Sequence, residues 1–179
     1  MQKFGFVFPG QGSQKLGMLS ELAAAHDIIG DTFKEASDVL GMDLWEVTQH
    51  DLGNTLDQTA VTQPVLLTAS IAITRLWQEL GGSVPAIVAG HSLGEYSALV
   101  CAGAIDFADG VKAVNQRGHF MQAAVQEGTG KMAAIVGLEN YQIDEICDEA
   151  ESQGIVSAAN INSPGQVVIA GEATAVDRA

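Results

Sequence analysis

The stretch AIVAGHSLGEYSAL, Ala86–Leu99, constrains this chain more than any other. An apolar run of strand character ends at Gly90, Ser92 stands between Gly90 and Gly94, and a helical pattern starts at Leu93. A passage from strand to helix in so few residues crowds backbone against backbone, and glycine at its edges removes the Cβ atoms that would clash. G-x-S-x-G in this strand–turn–helix setting is the pattern of a nucleophile elbow. It predicts Ser92 at a helix N-terminus, where backbone N–H groups and the positive end of the helix dipole face whatever its oxygen attacks. The plainer alternative is a serine that only caps the helix.

Around that bend the chain divides into two patterns. In residues 1–128, KFGFVF (3–8) is predicted as a short buried strand and PGQGSQK as a glycine-rich loop. Helices are expected over Leu16–Ala25 and Ile28–Leu40, the latter stopped by Gly41, with a short helix plus loop in 42–59. TQPVLLTASIAITRLWQELGG is apolar nearly all round and predicts a buried helix, with Thr62 as N-cap, Pro64 in the first turn and Gly81–Gly82 as terminator. AIVA (86–89) is a second buried strand, followed by helices over Leu93–Cys101 and Phe107–Gln126. Strand–helix–strand–helix suits a parallel α/β sheet. After the hinge-like GTG (128–130) the order in 129–179 is strand, helix, strand, strand, helix, a ferredoxin-like βαββα unit without its last strand. Two strands make a poor parallel sheet and the second part stops in a helix. The expectation is therefore an incomplete α/β fold whose remainder lies in the same polypeptide or in a second fragment.

Composition narrows the function. Of 179 residues 47% are apolar and spread throughout, which suits a globular chain. No apolar run approaches the roughly eighteen residues of a membrane span, and the first residues enter a strand pattern without the shape of a secretory signal. Cys101 and Cys147 have neither CxxC nor metal-ligand spacing, so they are expected as reduced thiols of a cytoplasmic protein. A net charge of −14 with eight scattered basic residues excludes the electrostatic footprint of nucleic-acid binding.

Three further segments bear on Ser92. FPGQGSQ also follows a strand; if the two strands are neighbours, Gln11 can supply a second backbone donor beside that of Leu93, an oxyanion hole worth several kcal/mol at a developing charge. Without the Lys-Ser/Thr of a P-loop, phosphate binding is the weaker reading of that loop. The helix after Ser92 runs out for about ten residues, roughly 15 Å, and the chain returns by about the same length, which brings Arg117 level with Ser92. A guanidinium there can grip a carboxylate through two parallel hydrogen bonds; the alternative is a solvated surface arginine. A serine nucleophile also needs a base. His91 should point away from the Ser92 hydroxyl, His119 lies about 200° round the helix from Arg117, and nothing brings His26 or His50 near. The base is expected to lie outside this chain.

FPGQGSQ, TQPVLLTASIA, GHSLGEYSAL, QRGHFMQ and NSPGQVVIAG, in this order and over nearly the whole chain, resemble the malonyl-CoA:acyl-carrier-protein transacylase family of bacterial fatty-acid synthesis. The resemblance implies a hydrolase-like α/β subdomain with a ferredoxin-like subdomain inserted. It implies Ser92 as the acylated nucleophile, the amides of Gln11 and Leu93 as the oxyanion hole, and Arg117 as the partner of the malonyl carboxylate. Gln63 corresponds to the family's active-site glutamine, and Met121 and Met132 resemble walls of the acyl pocket, though each also suits plain core. The substrates implied are malonyl-CoA and acyl carrier protein, with no cofactor beyond the coenzyme A thioester, and the family's general-base histidine falls in sequence beyond Ala179. Two rival readings remain: a serine thioesterase or other hydrolase on the same elbow, and an inactive piece that lacks its base.

Overall fold

The computed structural model describes residues 3–124 and 128–179. The chain is mixed α/β and separates into two compact units, Met1–Gln122 and Ala123–Ala179. This division falls a few residues before the one expected at 128. No described helix is long and apolar enough to cross a membrane.

In the first unit β1 (Gly5–Phe8) and β2 (Ile87–Gly90) pair in parallel, Gly5 opposite Ile87 and Phe8 opposite Gly90. Both strands were expected to be buried, yet Val7 is 83% and Ile87 71% exposed. Alternate side chains of a strand point to opposite faces, and only one face of this two-stranded sheet is covered. On the other side of Phe6 and Phe8 an apolar hollow of about 440 Å³ is lined also by Leu66, Ile73 and Trp77. It is not lined by Ser92, Gln63 or Arg117.

The helices are α1 (Ser20–Ala25), α2 (Asp27–Leu40), α3 (Leu44–Gln49), α4 (Thr59–Glu79), α5 (Leu93–Cys101) and α6 (Phe107–Ala124). The end of α6 predicted at Gln126 lies outside the described residues. α1 is shorter than the periodicity from Leu16 suggested, because Gly17 and Leu19 both take positive φ, 76° and 63°, which breaks the helical run. Gly41 stops α2 as expected: it is left-handed at φ 65°, and its amide bonds the Ser37 carbonyl. α4 starts three residues before the predicted cap. Gln58 holds the N-cap position, and the Thr62 hydroxyl instead donates to the carbonyls of Leu56 and Gln58. Pro64 consequently stands inside the helix rather than in its first turn.

α4 is buried continuously from Ala60 to Ala72, as its all-round apolar pattern requires. Val65 and Leu67 meet Ile29, Phe33, Leu44, Val111 and Val114 in one core, with the Phe33 and Trp45 rings 4.9 Å apart. Arg75 fastens α4 to its neighbours: Nη1 donates to Glu35 at 2.6 Å, and the guanidinium lies 4.6 Å from the Phe107 ring centroid.

The second unit holds β3 (Gly130–Val136), α7 (Asn140–Ala150), β4 (Val156–Ser163), β5 (Gln166–Glu172) and α8 (Ala173–Arg178). Its sheet order is β3-β5-β4, with β5 antiparallel to both neighbours. Ile143, Cys147, Val156, Val167, Ile169 and Val176 form its core, and Lys131 pairs with Asp177. Met132 stands opposite Ala170 on β3 and is exposed. Cys101 and Cys147 are free thiols, both pushed up from the usual thiol range by burial.

Phe33 has no exposed surface. Phe33→Ala is therefore expected to cost about 3–5 kcal/mol in urea unfolding. A loss below about 1 kcal/mol would mean that this core is not the one described.

Candidate active site

The elbow is built from two close approaches. Ser92 sits at φ 53°, ψ −111°, between the last residue of β2 and the first turn of α5. A non-glycine residue held there costs about 1–3 kcal/mol, which the surrounding structure must supply. A Cβ on Gly90 would lie 2.1 Å from the Gly94 backbone, and a Cβ on Gly94 would lie 2.2 Å from the Phe8 carbonyl oxygen. Both contacts are impossible for a real side chain, so the two glycines are what lets α5 start directly against the ends of β1 and β2. The Gly94 amide closes the turn on the His91 carbonyl at 2.9 Å. Leu93, buried, opens α5, where a helix amide has no partner within its own helix.

Because Phe8 is paired with Gly90, the loop after β1 emerges beside the elbow. A Cβ on Gly10 would stand 3.1 Å from the His91 carbonyl oxygen. Side chains then fix the loop's shape. Ser13 Oγ donates to the Gly10 carbonyl (2.8 Å), and the Gly12 amide donates to Gln14 Oε1 (2.8 Å). Two bonds tie the loop to the start of α4: Gln14 Nε2 to Asp57 Oδ1 (2.7 Å) and Gln11 Nε2 to Thr59 Oγ1 (3.1 Å).

α5 leads away from Ser92 and α6 returns, which brings Arg117 back to the elbow. Its Nη2 donates to Ser92 Oγ at 2.9 Å and its Nη1 to Gln63 Oε1 at 2.7 Å. Gln63 has no exposed surface, and its Nε2 donates to Met121 Sδ at 3.2 Å. The guanidinium also lies 5.7 Å from the Tyr96 ring centroid, within cation–π range. Ser92, Arg117, Gln63 and Met121 thus form one chain of contacts, with Gln11 and Leu93 on the elbow side. Met132, by contrast, belongs to the second unit. Tyr96 and Thr59 had not been singled out from the sequence. The i,i+4 spacing of Ser92 and Tyr96 on one helix face was the available signal for the first; no signal pointed to the second.

The histidines fall elsewhere. His91 is exposed, with its carbonyl and Nδ1 toward Gly10. His119 is exposed on α6, and His50 Nδ1 stands 3.0 Å from Glu46 Oε2. His26 lies at the junction of α1 and α2.

A hydroxyl on a strand–helix bend, with a cation held against it, is an arrangement for acyl transfer. The comparisons agree with that class: the chain belongs to the acyl transferase domain family, whose model matches residues 5–179. It is 60% identical over 179 residues to the malonyl CoA-acyl carrier protein transacylase of Escherichia coli K12, covering 100% of this chain and 58% of that protein. With the Bacillus subtilis protein of the same name it shares 44% over 180 residues, 100% of this chain and 56% of that protein. Among solved structures, the Coxiella burnetii malonyl CoA-acyl carrier protein transacylase superposes with a TM-score of 0.93 at 54% identity, covering 99% of this chain and 56% of the other. A malonyl-transacylase in complex with its type II PKS acyl-carrier protein gives 0.93 at 58%, covering 99% and 57%. The chain spans somewhat more than half the length of the relatives it matches.

The close approach at Gly94 sets a direct test. Gly94→Ala is expected to destabilise the first unit by about 1–3 kcal/mol or more. Gly30→Ala, on α2 where a Cβ would meet nothing within 4 Å, is expected to stabilise by up to about 1 kcal/mol. Thermal melts of the two variants showing equal shifts would contradict the described elbow.

Proposed function

We propose that this chain carries the nucleophile and the carboxylate clamp of a malonyl transferase. Ser92 Oγ attacks the thioester carbonyl of malonyl-CoA, its proton passes to a base, and the coenzyme A thiolate leaves with the C–S bond electrons. The base passes that proton to the departing thiolate, then takes the proton of the phosphopantetheine thiol of acyl carrier protein as its sulfur attacks the seryl ester, and returns this second proton to Ser92 Oγ as the malonyl group is carried away. Amides of Gln11 and Leu93 hold the oxyanion in both steps, each such donor worth about 3–4 kcal/mol at the transition state. The base is a histidine outside these 179 residues, so the chain alone is not expected to turn over. Met121, whose sulfur accepts from Gln63, lines the acyl group. In this reading residues 1–128 are the hydrolase-like subdomain and 129–179 the ferredoxin-like one, in a cytoplasmic protein.

The observation that carries the proposal is the 2.9 Å contact between Arg117 Nη2 and Ser92 Oγ. In a malonyl group the carboxylate carbon is one methylene from the carbonyl carbon, roughly 2.5 Å away. A cation within hydrogen-bond reach of the attacking oxygen is therefore at the range where that carboxylate must end. An acetyl group offers the guanidinium nothing, and a donor left unpaired is costly. A hydrolase of uncharged acyl groups has no use for a cation at this place, which disfavours the thioesterase reading.

Intact-mass analysis after incubation with malonyl-CoA, with imidazole added as the base, tests the reading. A gain of one malonyl group, slower without imidazole and lost in Ser92→Ala, is the expected result. A gain that survives Ser92→Ala, or none with imidazole present, contradicts it. Arg117→Ala is expected to slow malonyl loading by about ten- to a hundredfold, the worth of a charged hydrogen bond, while leaving acetyl loading nearly unchanged. Equal losses on malonyl-CoA and acetyl-CoA would remove Arg117 from the clamp.

A further inference from the structure

Pro64 creates a problem inside α4. It has no N–H, so the bond that residue 64 would make to the carbonyl of Ala60 is missing. Ala60 is also the second residue of α4, where the backbone amide has no partner within the helix. Both polar groups of one buried alanine are therefore left without their helical partners.

α6 supplies both. Asn115 Nδ2 donates to the Ala60 carbonyl at 2.9 Å, and Gln122 Oε1 accepts from the Ala60 amide at 3.0 Å. The chemistry fixes which end of each amide side chain is used, because a carbonyl only accepts and an N–H only donates. Between them stands Gly118, whose added Cβ would lie 2.4 Å from Ala60 Cα and 2.7 Å from the Thr59 carbonyl oxygen. Residues 115, 118 and 122 follow i, i+3, i+7 and so lie on one face of α6. This face meets α4 at one residue and fixes both how closely the helices approach and how far one can slide along the other.

Arg117 and Met121 project from the adjoining row of α6, and both contact Gln63, three residues beyond Ala60 on α4. We propose that Asn115 and Gln122 are positioning residues of the carboxylate clamp: by gripping Ala60 they set the register in which Arg117 reaches Gln63 and Ser92 together. The proposal concerns where the guanidinium is held; its consequence for acyl selectivity rests on the functional reading above.

The opposite polarity of the two grips gives the test. Asn115→Asp replaces the donor with an acceptor facing a carbonyl, whereas Gln122→Glu keeps the acceptor and Gln122→Met removes it at similar length. The readout is the side-chain Nε–Hε signal of Arg117 in ¹⁵N-labelled chain. With three arginines, Arg75, Arg117 and Arg178, it is assigned by its disappearance in Arg117→Lys. In Asn115→Asp and Gln122→Met it is expected to move toward the position of the exposed Arg178, and in Gln122→Glu to stay. An unmoved signal in a folded Asn115→Asp overturns the proposal. If that variant does not fold, the two Gln122 variants decide: equal behaviour of Met and Glu overturns it, and movement in Met alone supports it. Calorimetric titration with malonyl-CoA and acetyl-CoA separates the two claims. A parent chain without preference for malonyl-CoA contradicts the functional reading while the Arg117 signal still decides this one. With a preference present, Asn115→Asp is expected to reduce it by about tenfold, a charged hydrogen bond's worth.

Discussion

At Gly94 the first turn of α5 passes so near the end of β1 that any side chain there would overlap the Phe8 carbonyl oxygen. The rest of the site depends on this contact. It puts the ends of two parallel strands and the start of one helix within a single small volume, and so places Ser92 at the N-terminus of α5. It also forces Ser92 into a positive φ, a conformation no isolated serine would prefer. The strain and the exposure of the hydroxyl have one cause. The loop carrying Gln11 arrives at the same place because β1 and β2 are in register to their last residues.

The start of α4 organises what stands opposite. Within one short segment Asp57 and Thr59 hold the Gln14 and Gln11 side chains, Ala60 holds Asn115 and Gln122, and Gln63 holds Arg117 and Met121. The glycine-rich loop and the arginine helix are far apart in sequence but share this anchor. Gln63 is the critical link. Fully buried, its carbonyl oxygen must accept and its amide must donate, or the cost is about 1–3 kcal/mol. Arg117 and Met121 meet both needs. The guanidinium is thereby held on one side, with its other amino group turned to Ser92.

Much of this was legible from residues alone, for identifiable reasons. The elbow was, because a bend free of side chains demands glycine at fixed spacing. So was the approach of Arg117 to Ser92, because two helices of similar length joined by a tight turn return the chain to its starting level. The order of strands and helices in both units followed from periodicity and glycine stops. The start of α4 was misread because Thr62 and Pro64 resemble a cap and a first-turn proline, and nothing local reveals that Thr62 bonds back to Leu56 and Gln58. The short α1 was missed for a similar reason, since apolar spacing does not register the left-handed φ of Leu19. The exposure of Val7 and Ile87 was missed because an apolar run does not say how many strands will cover it. The grip on Ala60 was hidden, yet it left a trace: a proline inside a helix always leaves a carbonyl in need of a donor.

On the reading proposed above, the guanidinium pinned by Gln63 selects an acyl group by its carboxylate at Ser92. A crystal structure of this chain with malonate tests it most directly. The expected result is a malonate carboxylate paired to the Arg117 guanidinium beside Ser92 Oγ, with the Arg117–Gln63 bond intact. Malonate bound away from Arg117, or Arg117 turned out to solvent with Gln63 paired elsewhere, would contradict it.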